Sequence, residues 1–275
     1  MTQKEADEII ALHKGWLKQP LANRSKAEGK ARFENTSFSG LSFKGAALGL
    51  AYFYRCDFTG CDLTGANLEG ATLLYCSLDG TKLNGAKLAG AALKSSSFKK
   101  ASMTKADLKG AQLKSADMTE AVLKDATLKD ADISSAILNK VKAAGIDMSG
   151  VTAKKTSVKG AMLDKATIVG GGFVQCDLSD SSLKDSSLIS CEFYSCELGG
   201  SKLHGSTLKD LLFRDCKPKS LQVNNVQVIS SGRSATGGDL KATLTGKLAE
   251  LKWPEGRQYR WEAGYNAIRW SHQDW

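Results

Sequence analysis

The feature of this sequence that most restricts its fold is a large apolar residue at every fifth position. These residues, called centres below, have numbers ending in 3 or 8 and run from Phe33 to Phe213, which makes 37 consecutive pentapeptides. Nearly all centres are Phe, Leu, Met, Ile or Val, and all nine phenylalanines of the chain are centres. An α-helix repeats every 3.6 residues and a β-strand every 2. A period of five predicts neither of them, but a chain that turns at short, regular intervals.

A second, smaller inward position precedes each centre by two residues. Alanine is common there, as in Ala66, Ala71 and Ala86, while the other three positions hold mostly Asp, Asn, Ser, Thr, Lys and Gly. Glycine at the fifth position, as in Gly60 and Gly65, supplies the backbone conformation that tight turns need. Because one pentapeptide cannot bury its own apolar residue, we expect neighbouring units to stack and form a common core.

The segments "GANLEGATL", "GAKLAGAAL" and "KADLKGAQL" resemble the A-(D/N)-L-x-x pattern of the pentapeptide-repeat family. The resemblance implies an all-β solenoid, a right-handed quadrilateral β-helix in which four pentapeptides make one coil. About nine coils at a strand spacing of ~4.8 Å give a rod roughly 45 Å long. We predict three parts: an N-terminal helical cap and lead-in over 1–30, the β-helix over 31–217, and an irregular coil, loop and aromatic helical cap over 218–275.

Both ends of a β-helix expose strand edges, which predicts a short helical cap at each end. At the amino end, Thr2 and Glu5 have the spacing of a capping box. At the carboxyl end, Pro218 takes a centre position and ends the regular repeats, and residues 240–253 have helical spacing. The aromatic residues of the tail either cap the last coil or join two copies of the chain into a homodimer. The residues selected for this role are Trp253, Trp261, Tyr265, Trp270 and Trp275.

The seven cysteines are predicted to be reduced packing residues. All seven occupy the small inward position, where a free cysteine behaves as a small apolar residue: Cys56, Cys61, Cys76, Cys176, Cys191, Cys196 and Cys216. None of the three histidines has the neighbours that a zinc site needs, and no phosphate-binding or nucleophile motif occurs. We therefore expect no metal, no cofactor and no catalytic residue.

Two segments interrupt the regular pattern. Ala143 and Ala153 replace large centres while the small positions nearby hold larger residues, which predicts a kink or a loosened coil near 139–159. The run Gly170–Gly172 displaces residues of the repeat, and we interpret it as a local distortion of the backbone rather than a phosphate-binding loop.

The distribution of charge helps to decide which functions such a rod could have. The best-known role in the family that this chain resembles is the protection of type II topoisomerases by imitating acidic duplex DNA. Here Lys94–Lys165 contains 14 lysines and 8 acidic residues, and only Asp177–Asp215 is acidic, with 7 acids and 4 bases. The net charge of +9 is opposite to that of DNA, so imitation of DNA is disfavoured and stays an alternative. Nucleic-acid binding by the lysine-rich middle is a second alternative, but lysines on all four faces favour solubility instead.

The tyrosines indicate where a partner protein would bind. Superimposing the coils by steps of four pentapeptides places Tyr52, Tyr54, Tyr75 and Tyr194 on one face, all pointing outward. With Arg55 and Leu74 they form the predicted partner-binding patch, since Tyr and Arg are enriched in interface hot spots. The alternative is that these aromatics dock a terminal helix of the same chain.

The predicted function is a non-enzymatic, rigid scaffold for protein–protein interaction, as a component of a phage particle or a secretion apparatus. No apolar run approaches the ~20 residues of a membrane span. The charged amino terminus lacks the apolar core of a signal peptide. We therefore expect a cytoplasmic protein of a bacterial host, or a virion-associated one.

Overall fold

The computed structural model describes residues 1–24, 28–223, 225–229, 258–261 and 268–271. Two helices open the chain, α1 (Gln3–Leu17) and α2 (Leu21–Arg24). Short strands follow: β1 (Arg32–Glu34), β2 (Tyr52–Tyr54), β3 (Thr72–Leu74), β4 (Thr152–Lys154), β5 (Thr167–Val169), β6 (Gly172–Val174), β7 (Ser187–Ile189), β8 (Glu192–Tyr194), β9 (Thr207–Lys209), β10 (Leu212–Arg214), β11 (Gln227–Ile229), β12 (Gln258–Trp261) and β13 (Ile268–Ser271).

Every coil takes four pentapeptides, because each parallel pair joins a residue to the one four pentapeptides further on. β1 pairs with β2 in the register Phe33↔Phe53, and single bridges such as Ser77↔Ser97 continue the same step along the rod. The fifth residue of each pentapeptide turns the chain through a positive φ, which is 65° at Gly80. The result is a quadrilateral β-helix of about nine coils with parallel strands, which confirms the predicted fold class.

The core consists of the two inward positions of each pentapeptide. Centres such as Leu108 and small residues such as Ala106 are at most 1% exposed, whereas Lys109 beside them lies at the surface. Phenylalanine centres stack coil on coil, with ring centroids 4.8 Å apart between Phe38 and Phe58. A cavity lined mainly by centres between Met148 and Phe213 measures only about 20 Å³. The inward and outward assignment made from the five-residue period is therefore confirmed.

The kink predicted near 139–159 is not found. Bridges Lys142↔Met162 and Asp147↔Thr167 keep the step of four pentapeptides through this segment, and Ala143 and Ala153 are as buried as other centres. The larger side chains at the small positions, such as Ile146, occupy the volume that the alanine centres leave, so the cross-section of the core stays filled.

The glycine run has a packing explanation and not the predicted distortion. Gly172 lies in β6, which pairs in register with β4 and β8. Gly171 takes the small inward position, where an added Cβ would lie 2.9 Å from Ile168 Cγ2 and 3.0 Å from Phe173 Cε2. Even alanine is too large there, so glycine allows the two neighbouring centres to meet.

At the amino end, α1 satisfies the hydrogen bonds of the first coil. The capping box of Thr2 and Glu5 is present, as predicted. The Gln3 amide donates to Ser42 O and its Oε1 accepts from Ser42 N–H, both at 2.8 Å. The Gln3 side chain thus makes the two backbone hydrogen bonds that a neighbouring strand would otherwise make. His13 does the same inside the cap: its Nδ1 accepts from Ala31 N–H at 3.0 Å and its Nε2 bonds Gly49 O at 2.9 Å.

At the carboxyl end, the ladder continues beyond the predicted limit at residue 217. Lys202 bridges Gln222, and β11 pairs with β9. Centre N–H groups donate to the following coil, as Leu198 does to Lys217 O at 2.9 Å. Pro218 stands at a centre position but has no N–H to donate in this way.

The tail contains two strands. β12 and β13 pair antiparallel, with Trp261 opposite Ile268 and Tyr259 opposite Trp270. The predicted helix over 240–253 lies outside the described residues, as do Trp253, Tyr265 and Trp275.

All seven cysteines are free and buried at the small inward position. Burial raises the pKa of the Cys61 thiol to about 11. In the stacked pair of Cys56 and Cys76, the hydrogen bond between the thiols lowers the pKa of Cys56 and raises that of Cys76. In the described part of the chain, no three potential ligands approach closely enough to hold a metal ion, and no helix has the length and apolar character of a membrane span.

We expect the cysteines to react slowly in the folded protein, because each cysteine is at most 2% exposed and access limits attack on the thiol. The measurement is the time course of labelling by a thiol reagent with and without denaturant. All seven should label promptly only after unfolding. Fast labelling of several cysteines without denaturant would contradict their placement inside the rod.

Candidate protein-binding surface

The candidate surface is built on the first three strands of one side of the rod, called the tyrosine face below. The segments "RFE", "YFY" and "TLL" are rich in aromatic and other strand-favouring residues, and they form β1, β2 and β3 in a parallel sheet. Their central residues Phe33, Phe53 and Leu73 face the core, so the residues on either side point outward.

The outward side chains form one connected cluster. The rings of Tyr54 and Tyr75 meet edge to face, with centroids 5.7 Å apart. The guanidinium of Arg55 lies 5.1 Å from the centre of the Tyr54 ring. Leu74 is the strand neighbour of Tyr54, and Tyr75 is 49% exposed. A cluster of aromatic rings with a neighbouring cation has the composition of an interface hot spot.

A second cation and ring extend the cluster towards the amino end. Arg32 lies over the ring of Tyr52 at 4.1 Å, and it is also ion-paired with Glu34 at 3.0 Å. Sequence reasoning missed Arg32, although it stands one coil before Tyr52 and is therefore its neighbour in the ladder. The same counting of coils that grouped the tyrosines could have identified it.

Two members of the cluster have an unfavourable backbone conformation. Arg55 has a φ of 50° and Tyr75 a φ of 56°, in the left-handed region that glycine and asparagine adopt most easily. The same position elsewhere in the repeat is often glycine, as at Gly80. A bulky side chain there costs on the order of 1 kcal/mol relative to glycine. Other large residues, such as Lys105 and Lys165, adopt the same conformation in the repeat, so it is not specific to the cluster.

We expect the Tyr75→Gly variant to fold at least as stably as the parent protein. Glycine relieves the left-handed strain, and the Tyr75 ring is half exposed, so little buried area is lost. Urea unfolding followed by circular dichroism measures the difference. A loss of more than ~1 kcal/mol would show that Tyr75 stabilises the fold and is not primarily a binding residue.

The structure separates Tyr194 from the rest of the predicted patch. Tyr194 lies in β8 on the same face, next to Val174 in the register, as predicted. It is seven coils from Tyr54, about 34 Å at the strand spacing of a β-sheet. The single patch predicted from the sequence is therefore a cluster at one end and an isolated tyrosine at the other.

The alternative role of the cluster, docking a terminal helix of this chain, does not apply to α1. The hydrogen bonds of α1 reach Ser42, Gly49 and Ala31, and those with Ser42 and Gly49 are on the other sides of the first coil. A groove of about 530 Å³ separates α1 from the first coil, lined by residues that include Asp7, Lys14 and Lys44.

Comparison with known proteins agrees with this architecture. Models described as pentapeptide repeat region, pentapeptide repeats (9 copies) and pentapeptide repeats (8 copies) match residues 51–119, 28–67, and 106–142 with 173–210, respectively. Together these matches cover more than half of the chain. No curated protein matches the sequence.

Solved structures of similar form share little sequence with this chain. HetL of the cyanobacterium Nostoc sp. strain PCC 7120, a pentapeptide repeat protein involved in heterocyst differentiation regulation, is 20% identical with a TM-score of 0.48, and the alignment covers 74% of this chain and 94% of HetL. QnrB1, a plasmid-mediated fluoroquinolone resistance protein, is 14% identical with a TM-score of 0.34, over 71% of this chain and 94% of QnrB1. The similarity is one of fold and assigns no activity or partner.

Proposed function

Because this chain belongs to the pentapeptide-repeat family, we propose that it is a rigid, non-catalytic scaffold that binds a partner protein through Tyr52, Tyr54, Arg55, Leu74 and Tyr75. The observation that supports this most is the connected cluster of Tyr54, Tyr75 and Arg55 on the outside of the rod. Assignment to a phage particle or a secretion apparatus stays a prediction.

The rod supports binding because it holds the cluster in place. Tyr52 and Tyr54 lie on strands hydrogen-bonded to both neighbouring coils, for instance through Tyr52 N–H to Ala31 O at 2.9 Å and Arg55 N–H to Leu74 O at 2.9 Å. Rings fixed in this way lose little conformational freedom on binding, which increases the affinity available from a small surface.

Charge continues to disfavour imitation of DNA. The tyrosine face has basic residues beyond the cluster, including Lys94, Lys114 and Lys154, all exposed. A surface of this sign repels the lysine and arginine residues with which proteins bind DNA. The partner is therefore expected to present apolar and acidic groups to the cluster.

The test is capture of partners from a host extract by three baits compared quantitatively: the parent protein, Tyr54→Ser/Tyr75→Ser, and Lys44→Ser/Lys124→Ser on the opposite side of the rod. We expect a protein that binds the parent and the lysine variant and is depleted at least ~30-fold with the tyrosine variant, since hot-spot residues contribute about 2 kcal/mol or more.

Purified partner and baits would then give dissociation constants directly. Circular dichroism must show the same melting behaviour for all three baits, because every substituted residue points outward. Binding that survives in the tyrosine variant and disappears in the lysine variant would refute the proposal and indicate an electrostatic surface instead.

A further inference from the structure

The side of the rod opposite the tyrosine face has one lysine in each of seven consecutive coils. Its centres are Phe43, Leu63 and every twentieth residue after them, two pentapeptides and therefore two sides away from Phe53 and Leu73. We call this side the lysine face. Its seven lysines are Lys82, Lys105, Lys124, Lys142, Lys165, Lys184 and Lys202. On the other three sides of the described rod, basic residues are absent from some coils of the same stretch.

The seven lysines are spaced one per coil along the rod axis and lie in three parallel columns, before the centre, after the centre and at the fifth position of the pentapeptide. Bridges Lys82↔Ser102, Val122↔Lys142 and Ser182↔Lys202 belong to one uninterrupted parallel ladder along this face. Successive lysines are one coil apart, a rise of about 4.8 Å along the rod axis, so the row extends for roughly 29 Å in that direction. The same position within the pentapeptide holds a lysine in every third coil, so Lys82, Lys142 and Lys202 lie in the same column.

These lysines are available to a ligand. Five of the seven are exposed, and Lys184 and Lys202 are half-buried. The ion pairs of the described residues all lie on other sides of the rod: Arg32–Glu34, Lys99–Asp117, Lys100–Glu120 and Lys217–Glu197. Within the described part of the chain, no lysine of the row is therefore held in an ion pair.

The aspartates of the lysine face are partly engaged by the backbone. Asp62 Oδ1 accepts from Thr64 N–H at 2.9 Å, and Asp164 Oδ1 accepts from Lys184 N–H at 3.1 Å. Asp125 and Asp185 are the other acidic residues of this face. Seven lysines and three aspartates between Lys82 and Gly205 give this face a net charge of +4: the coils of Lys82, Lys105, Lys142 and Lys202 are basic, and those of Lys124, Lys165 and Lys184 each also contain one aspartate.

We propose that the lysine face binds the phosphate backbone of a duplex nucleic acid lying along the rod. A band of cations along the rod axis, none of them in an ion pair, complements an extended polyanion, and at 3.4 Å per base pair a band of ~29 Å matches about 8 base pairs. The small polar residues between the lysines, such as Asn84, Ser102 and Thr104, can approach and hydrogen-bond phosphate oxygens.

The composition of the face favours a duplex over other polyanions. No Phe, Tyr or Trp occurs among its outward residues from Ser42 to Gln222, so it lacks the rings on which single-stranded bases stack. Val122 and Met162 are its larger apolar outward residues, so it offers few of the apolar anchors of a protein interface. This face is separate from the tyrosine face, and its function does not depend on the proposed function.

The experiment measures binding of the full chain to a fluorescent 20-base-pair DNA duplex by anisotropy between 50 and 200 mM salt. We expect a slope of log K against log salt of about −6 for seven phosphate contacts. Lys82→Gln/Lys142→Gln/Lys202→Gln should weaken binding at least ~10-fold and make the slope about 3 less steep.

The matched control is Lys94→Gln/Lys114→Gln/Lys154→Gln, which removes the same charge from one column of exposed lysines on the opposite face. It should weaken binding less than ~3-fold. An RNA duplex of equal length shows which nucleic acid is preferred, and tighter binding of either one supports the proposal. Equal losses in the two variants, no binding of either duplex at 50 mM salt, or stronger binding of poly-glutamate than of both duplexes would overturn it.

Discussion

Replacing Leu108 by aspartate is expected to destabilise the rod by several kcal/mol, the largest effect of any single change considered. Leu108 is 0% exposed and contacts the core of coils on both sides, so the carboxylate would have neither water nor a partner. Because neighbouring coils share this core, damage in one coil is expected to weaken the coils next to it. Urea unfolding followed by circular dichroism measures the loss.

The control is the adjacent position. Lys109 lies at the surface, and the Lys109→Asp variant should differ from the parent by less than ~0.5 kcal/mol. The two variants have the same new side chain at neighbouring positions, so only the direction of the side chain distinguishes them. Similar losses of stability in both would contradict the inward and outward assignment of the repeat.

Removing the His13 side chain is expected to cost about 3–5 kcal/mol of cap stability. The His13→Ala variant leaves Ala31 N–H and Gly49 O without partners, at ~1–3 kcal/mol each, and adds a cavity where the buried ring was. The Ala31 amide should lose its protection against hydrogen exchange, which reports on the cap alone. The exposed neighbour Lys14 provides the control: Lys14→Ala should retain that protection.

His13 also makes the stability of the cap depend on pH. Burial lowers the pKa of His13, with a smaller lowering by nearby Lys30 opposed by the Gly49 hydrogen bond. The unfolded chain, with a histidine pKa of ~6.5, therefore binds more protons than the folded chain below that pH. The stabilisation is complete above about pH 6.5 and decreases as the pH falls towards the folded pKa.

Thermal unfolding at several pH values between 5 and 7.5 tests this dependence. The His13→Gln variant keeps one donor and one acceptor but does not titrate, so its melting temperature should vary less over this range than that of the parent. An equally steep decrease in both proteins would assign the effect to other groups. Carboxylates with lowered pKa, such as those of Asp57 and Asp117, lose their stabilising effect only at lower pH.

The repeat region could be predicted almost completely from the sequence. A strict period of five allows a single register, because a shift of one residue would turn centres such as Leu108 to the solvent and residues such as Lys109 to the core. The step of four pentapeptides per coil then places Tyr54 and Tyr75 on one face and the seven cysteines inside. It also permits recognition of Arg32 and of the lysine row, since both depend only on counting coils.

Contacts that depend on side-chain conformation were decided by the tertiary structure. The sequence predicts a helical cap at the amino end, but not that His13 forms hydrogen bonds with Ala31 and Gly49, which are 18 and 36 residues away. The reason for glycine at position 171 is the meeting of Ile168 with Phe173. Likewise, Tyr54, Tyr75 and Arg55 share a face by register, but their edge-to-face and cation contacts depend on rotamers. Periodicity determines which way a side chain points, whereas its partners are set by distances between coils far apart in the chain.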